Sequence, residues 1–227
     1  MNHRFYNKSK KEQNRILIMT AIIAIGIIFL SIVASIISGI YLIGILAAAI
    51  TLSIFAPFFD MPSLKKSGRM VYYSPLFITE KPKNGLIKIH GGTLFDYYFV
   101  IDKKMNGKQR KVFIIQQYVS GLLSLLEEYK NDKQTKIRGT SYIINKKTAR
   151  KIGFRIVETD ILQKITLTYN YVNILISNSI AKNKLSFPKV NKTRTFESNI
   201  SQLLERKEYI EKLNKSLKST IANTVYN

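Results

Sequence analysis

The longest pattern in the chain is an uninterrupted apolar run near its amino end. Between Ile16 and Phe59 there is no Asp, Glu, Lys, Arg or His, whereas charged residues are frequent on both sides. About 20 helical residues cross a bilayer core of about 30 Å, so a run this long predicts two spans. The stretch SIISGIY contains the turn, because Ser38 and Gly39 favour a bend in the backbone. We expect helices over 16–37 and 40–59.

A cleaved signal peptide followed by a single span is the alternative interpretation of the same run. The apolar core of a signal peptide is about 7 to 15 residues long and precedes a cleavage site with small residues. The first apolar stretch here is longer, and no such site precedes a polar segment. The pattern therefore favours a helical hairpin.

Short strands and amphipathic helices are predicted after residue 84. GLIKIH (85–90), Gly91-Gly92 and TLFDYYFVID (93–102) are typical of a β-hairpin, because two glycines suit a tight turn between β-rich runs. The next helix has apolar residues at spacings of three and four, which indicate one buried face: Val112, Ile115, Val119, Leu122, Leu126 and Tyr129.

Two more strands and two more helices follow in the same region. KIRGTSYIIN (136–145) and FRIVET (154–159) predict strands, and between them Asn145 caps a short helix that ends at Gly153. A helix over about 160–183 carries an apolar stripe formed by Leu162, Ile165, Tyr169, Val172 and Ile176. A third membrane span is the alternative there, and Lys164 and several asparagines count against it.

The last helical pattern, over about 197–219, places Leu203, Ile210 and Leu217 seven residues apart among charged residues. Such spacing is typical of a short coiled coil or a docking helix. About two heptads do not form a stable helix alone, so the helix packs on its own domain or on another copy of the chain. We predict these three residues to be interaction residues.

The predicted fold class is an N-terminal two-helix transmembrane hairpin followed by a cytoplasmic α+β domain with a C-terminal helix. The α+β domain combines a β-hairpin, amphipathic helices and short strands. Its predicted boundaries are a basic cytoplasmic tail (1–15), the transmembrane hairpin (16–59), a juxtamembrane linker (60–84), the α+β domain (85–187), and a coiled-coil-like amphipathic helix with its tail (188–227).

The distribution of positive charge predicts the orientation. The chain has 36 Lys and Arg against 14 Asp and Glu, a net charge of +22. Basic residues lie before the first span and directly after the second, whereas the turn between the spans has none. The positive-inside rule then places both termini in the cytoplasm, and we expect a multi-pass protein of the bacterial inner membrane. The absence of cysteine agrees with a reducing compartment.

The excess of positive charge also predicts anionic partners. A tethered basic domain is attracted to anionic lipid headgroups by about 1 kcal/mol per residue near the surface, and nucleic acid attracts the same charges. No zinc-finger spacing, RRM-type motif or helix-turn-helix pattern is present, so nucleic acid is the weaker candidate. The predicted anion- or lipid-binding residues are Lys65, Lys66, Arg69, Arg138, Arg150, Lys151 and Arg155.

Candidate catalytic chemistry is sparse. His90 beside Gly91-Gly92, with Asp96 close in sequence, is the one pair suited to acid–base work. Two histidines and no cysteine predict no zinc or iron site, and no nucleotide-binding glycine motif is present, so no cofactor is expected. The spans hold no ionisable residue, which gives no basis for a proton relay.

Three hypotheses of function remain open. The first is a two-span membrane protein that presents a basic domain for binding or scaffolding, with a protein assembly, its own copies or anionic lipid as partner. The second is a membrane-tethered enzyme acting on an anionic substrate through His90 and Asp96. The third is an oligomeric effector that disrupts membranes. The sequence favours the first, because it lacks a second catalytic motif.

Overall fold

The two apolar helices form the hairpin that the sequence predicts. The computed structural model describes residues 2–141, 144 and 146–225. Helix α1 (Lys10–Ser38) and helix α2 (Tyr41–Lys66) are joined at Gly39, whose φ of 69° is the left-handed conformation that glycine adopts most easily. Both helices are long and apolar enough to cross a membrane. They extend beyond the predicted spans because polar turns continue them at the ends remote from Gly39.

Small residues hold the two helices close together. A Cβ atom added to Gly44 of α2 would lie 2.9 Å from the Ser35 side chain of α1. Ser35 is buried, and its hydroxyl donates to the carbonyl of Ile40 in the turn. Close approach of backbones through small residues is the usual way in which apolar helices pack without a polar partner.

Residues 60–84, predicted as a linker, contain the last residues of α2 and two strands. Strand β1 (Met70–Ser74) and strand β2 (Phe77–Glu80) pair antiparallel around the turn at Pro75. They begin a six-stranded mixed sheet with β3 (Leu86–Gly91), β4 (Lys136–Ser141), β5 (Arg155–Val157) and β6 (Arg194–Asn199). The strand order is β1-β2-β3-β4-β6-β5, with β3 and β4 parallel and the other pairs antiparallel.

The predicted β-hairpin over 85–102 is wrong in its second half. The segment after Gly91-Gly92 is helix α3 (Leu94–Val100), which begins with a capping box. The Asp96 carboxylate accepts hydrogen bonds from the Thr93 backbone at 2.7 Å and from the Thr93 hydroxyl at 2.8 Å. The aromatic residues that favour a strand in sequence pack here in buried positions of the short helix, so tertiary packing overrides their β propensity.

The remaining helices follow the sequence with two breaks. They are α4 (Gly107–Glu128), α5 (Lys146–Ile152), α6 (Ile161–Tyr169), α7 (Tyr171–Lys182), a 3₁₀ turn (Val190–Lys192), α8 (Ile200–Leu204) and α9 (Lys207–Val225). The predicted helix over 160–183 is divided at Asn170, and the one over 197–219 starts within β6 and is divided before Lys207. The predicted strand 136–145 is a strand as far as Ser141, and the predicted cap Asn145 lies outside the described residues.

The main core lies between one face of the sheet and α4. Ile87, Ile137 and Phe196 point from the three central strands toward α4, where Leu122 and Leu126 meet them. Helices α8 and α9 close the same core. The amphipathic spacing in residues 112–129 thus predicts the inward face of α4, and the core gives the hairpin a rigid domain at its polar end.

Candidate functional site: an apolar cavity beside the hairpin

A cavity of about 580 Å³ lies at the carboxyl ends of the parallel strands β3 and β4. Its size is within the range of small-molecule sites, about 300 to 1,000 Å³. Its walls come from the sheet, from helices α3 to α7, from α9 and from the last turns of α2. Most of the lining is apolar, including Ile115, Val119, Leu167 and Ile174.

The outer wall of the cavity depends on a contact between α7 and α2. The Asn173 amide of α7 donates to the Ser53 carbonyl at 2.7 Å and to the Ser53 hydroxyl at 3.2 Å. Pro57, one turn later, has no N–H to donate to that carbonyl. The side chain of α7 therefore supplies the missing donor, and this bond holds the cavity wall against the hairpin.

Two oxygens at the cavity have no hydrogen-bond partner. They are Oδ1 of Asn173 and Oγ1 of Thr193, both buried, in side chains that line the cavity. A buried polar atom left unpaired costs about 1 to 3 kcal/mol. The cavity thus combines an apolar lining with two buried, unpaired oxygens in side chains that border it.

Helix α6 forms part of the wall and presents an apolar outer face. Gln163 fixes the helix to the sheet, because its side-chain oxygen accepts from the hydroxyls of Thr140 at 2.9 Å and Thr195 at 3.0 Å. Leu167 points inward to the cavity. The opposite face is exposed and apolar, and it consists of Ile161, Leu162, Ile165 and Tyr169. The first part of the predicted apolar stripe therefore faces outward.

The structure separates the proposed catalytic pair. His90 borders the cavity, but its Nε2 pairs with the Glu80 carboxylate at 3.0 Å, and both side chains are substantially exposed. Asp96 is completely buried and accepts from the Tyr72 hydroxyl at 2.8 Å, with His3 Nε2 at 3.3 Å. Because the expected hairpin is a strand followed by a helix, the two residues do not form an acid–base unit. The hydrogen bond from His90 lowers the pKa of Glu80.

Sequence reasoning missed the role of the amino-terminal tail. His3 and Phe5 are fully buried against Phe95 and Phe99 of α3. Arg4 donates to carbonyls at the end of α3, at 2.7 Å to Phe99 and to Tyr98. The apolar pair Phe5-Tyr6 within a basic segment was the available signal. The tail is docked on the domain and fixes the start of α1.

Two of the predicted anion-binding arginines are paired within the sheet. Arg138 of β4 donates through Nε to the Glu197 carboxylate of β6 at 2.8 Å, and Arg155 of β5 donates to its other oxygen. These hydrogen bonds, Arg155 first, lower the pKa of Glu197 despite its burial. The pairs follow from strand register, since Glu197 lies opposite both arginines.

The other predicted basic residues divide into two places. Arg150 and Arg155 line a shallow cleft of about 450 Å³ together with Arg206 and Glu205, and Lys151 is exposed nearby. At the end of α2, Lys66 and Arg69 are exposed, whereas the Lys65 ammonium lies 3.5 Å from the centre of the Tyr6 ring. Burial lowers the pKa of Lys65, and the Asp96 carboxylate partly opposes this. The structure thus does not gather the predicted basic residues into one site.

The predicted interaction residues lie inside the domain. Leu203 and Ile210 are completely buried in the main core, and Leu217 packs against the same cluster. Leu203 is in α8 and the other two are in α9, so the seven-residue spacing does not describe one continuous stripe. Of the two expected packings, on the same domain or on another copy, the structure has the first: these leucine and isoleucine side chains are core residues, and they stabilise the packing of α9 on α4.

No group of three His, Asp or Glu residues suited to a metal ion occurs in the described residues. Comparison of the chain with protein-family models, with curated proteins and with solved structures finds no match.

Proposed function

We propose that the chain is a two-span integral membrane protein that holds a basic domain at an anionic membrane face and acts there by binding. The outward faces of α1 and α2 are the main support. They carry a continuous series of exposed aliphatic side chains, of which Ile37 is 82% exposed. Moving each large aliphatic side chain out of water contributes about 1.5 to 3 kcal/mol. A bilayer supplies that apolar environment.

The proposed orientation has both termini and the domain in the cytoplasm. Lys8, Lys10 and Lys11 precede the apolar part of α1, and Lys65 and Lys66 end α2. The turn at Gly39 carries no charge. Cytoplasmic loops are enriched in Lys and Arg, so the basic end belongs on the cytoplasmic side, which in a bacterium is the inner face of the inner membrane.

The apolar outer face of α6 supports a domain that lies directly on this membrane. Its four exposed apolar residues, with Leu185 and Phe187 from the loop after α7, would meet the headgroup region. The Asn173–Ser53 hydrogen bonds join α7 to α2, so this surface continues from the hairpin. Amphipathic helices bind the interface in this manner when basic residues accompany them.

Binding is favoured over catalysis because the candidate acid–base residues are used in structural contacts. His90 is paired with Glu80, and Asp96 caps α3 while bonded to Tyr72. The cavity, in contrast, has the apolar lining expected of a binding site. The partners we propose are anionic lipid at the surface and a protein assembly or further copies of the chain, with the basic domain as the contacting part.

Cysteine accessibility tests the orientation, because the natural chain has no cysteine. Ile40→Cys places a thiol in the turn, and Lys104→Cys places one in an exposed loop of the domain. In sealed right-side-out membrane vesicles, we expect a membrane-impermeant maleimide to label only the first variant. Inverted vesicles should give the opposite result. Labelling of both variants in both vesicle types, or release of the chain by alkaline carbonate, would contradict the proposal.

Lipid binding by the domain is tested in nanodiscs of defined composition. Acetylation of lysines by a soluble reagent should be slower in anionic than in zwitterionic nanodiscs at Lys66 and Lys164. Lys108, on α4 next to its first residue, and Lys207 serve as comparison positions in the same sample. Equal rates in both lipids at every lysine would exclude anionic lipid as the partner and leave a protein partner.

A further inference from the structure

We propose that the cavity binds a single-chain lipid whose polar end carries a hydroxyl group. This inference depends on the proposed membrane location, because the chain is expected to enter from the bilayer. The residues that meet the hydrocarbon are Ile115, Val119, Leu122, Leu167 and Ile174. They come from α4, α6 and α7, and none of them offers a side-chain hydrogen bond.

The position of the cavity provides the route. Pro57 and Met61 of α2 line one side, and α7, which is bonded to Ser53 of α2, lines another. The outer face of α6 is apolar and exposed. The cavity therefore borders the hairpin, and an acyl chain that entered between α2 and α7 would avoid exposure to water, which costs about 0.8 kcal/mol per methylene group.

The unpaired oxygens of Asn173 and Thr193 are the reason for proposing a hydroxyl group at the polar end of the lipid. Asn173 is 8% exposed, and its amide nitrogen is already committed to Ser53, which leaves Oδ1 as an acceptor only. Oγ1 of Thr193 is buried and unpaired as well. A hydroxyl can donate to the first oxygen or exchange a hydrogen bond with the second. A hydrocarbon without a hydroxyl would leave both atoms unsatisfied.

The charges at the cavity argue against a phosphorylated ligand. Lys111 is the only lysine or arginine among the described lining residues, and it is exposed at the rim. Sites for phosphate groups combine several basic side chains or backbone N–H groups at a helix start. An uncharged single-chain lipid, such as a monoacylglycerol, fits the lining better.

Photolabelling of the full chain in native membranes tests the assignment. A monoacylglycerol with a diazirine on its acyl chain is added, the sample is illuminated, and the adducts are located by mass spectrometry of peptides. We expect adducts on the cavity-lining residues of α4 and α7 as well as on the outward faces of α1 and α2. A phospholipid with the same diazirine chain should label α1 and α2 but not the cavity.

Two variants fill the cavity. Ser177→Phe adds a ring to a buried lining residue of α7, and Leu167→Phe enlarges the wall at α6, which is more tolerant because Leu167 is only partly buried. Each should lower the cavity adducts about tenfold relative to the adducts on α1. Ser124→Phe is the matched control, because Ser124 is exposed on α4 outside the cavity.

The outcomes separate this inference from the membrane proposal. Labelling of α1 and α2 without labelling of the cavity overturns the lipid site and leaves the two-span protein intact. Absence of labelling on α1 and α2 overturns the membrane proposal itself. Equal labelling of the cavity by the phospholipid, or cavity labelling that persists in a correctly folded filled variant, also overturns the assignment to a single-chain lipid.

Discussion

The Asn173 side chain in α7 donates a hydrogen bond of 2.7 Å to the Ser53 carbonyl in α2, the carbonyl that Pro57 leaves without its helical partner. A proline in a helix removes the N–H that would bond to the residue four positions earlier. In an apolar environment such a freed carbonyl needs another donor. The proline and the asparagine, far apart in sequence, therefore form one structural unit.

A double-mutant cycle measures this relationship. Asn173→Leu should destabilise the chain by about 1 kcal/mol, because it leaves the Ser53 carbonyl unpaired. In a Pro57→Ala background the loss should be smaller, since the alanine N–H can donate to the same carbonyl. The free energy of unfolding in detergent, with each variant alone and combined, gives the coupling energy.

The control for this cycle is Asn178→Leu. Asn178 is also buried on α7, but it donates to Ser186 in the following loop and not to α2. Asn178→Leu should lower the free energy of unfolding by the same amount whether residue 57 is proline or alanine. If Asn173→Leu lowers the free energy of unfolding equally with proline or alanine at residue 57, the hydrogen bond from Asn173 does not compensate for the proline.

Packing of the hairpin provides a second prediction. Gly44→Leu should weaken the contact between α1 and α2, because even a Cβ at this position would lie 2.9 Å from the Ser35 side chain. Gly26→Leu is the matched control, since a Cβ there has no atom within 4 Å. Crosslinking yield between cysteines placed on the two helices should fall only in the first variant. Equal yields in both would show that the small-residue contact is dispensable.

The sequence predicted correctly those features that are determined by residues within a single turn or a single helix. Gly39 adopts the left-handed conformation at the predicted bend, and the spacing of three and four in residues 112–129 marks the inward face of α4. The second half of the predicted β-hairpin failed for a different reason. Phe95 and Phe99 are strand formers by propensity, but burial against the amino-terminal tail selects a helix.

The candidate site was less predictable because it is assembled from distant segments. Asn173 gains its role from Pro57, and the cavity borders residues from the sheet and from seven helices. The sequence showed the apolar stripe of Leu162, Ile165 and Tyr169 but not its direction. A strand of three residues such as β5 is too short to give a periodic pattern in the sequence. The break between α6 and α7 at Asn170 likewise depends on the elements that these helices pack against.

The buried carboxylate provides a third prediction. Asp96→Ala should destabilise the chain by roughly 2 to 4 kcal/mol, because it removes the cap of α3 and leaves the hydroxyl of Tyr72 and the ring of His3 without a partner. Proteolysis at the amino-terminal tail should become faster at the same time. The measurement is the midpoint of thermal unfolding together with the rate of cleavage near Arg4.

His90→Ala is the contrasting variant for Asp96→Ala. His90 is exposed and pairs with Glu80 at the surface, so its loss should change stability by less than about 0.5 kcal/mol. A large effect of His90→Ala on a membrane phenotype, without an effect on folding, would restore the enzyme hypothesis. Equal effects of both substitutions on stability would contradict the structural role of Asp96.

The last prediction concerns pH, and it depends on the two arginines beside Glu197. Their hydrogen bonds hold the pKa of this carboxyl below its ordinary value in the folded chain. A lowered folded-state pKa adds stability that is fully present above the unfolded-state pKa, about 4.3 for glutamate. That stability is lost as the pH falls from there through the folded-state pKa.

Glu197→Gln should therefore cost roughly 1 to 3 kcal/mol at neutral pH, and the difference from the natural chain should disappear in acid. Glu127→Gln is the comparison. Lys130 and Lys207 lower the pKa of Glu127 to about 2, but the carboxylate is exposed, so added salt should screen its contribution while leaving that of Glu197 largely unchanged. Unfolding midpoints across pH at two salt concentrations separate the two residues. A difference for Glu197→Gln that persists below the folded-state pKa would mean that its effect comes from packing and not from charge.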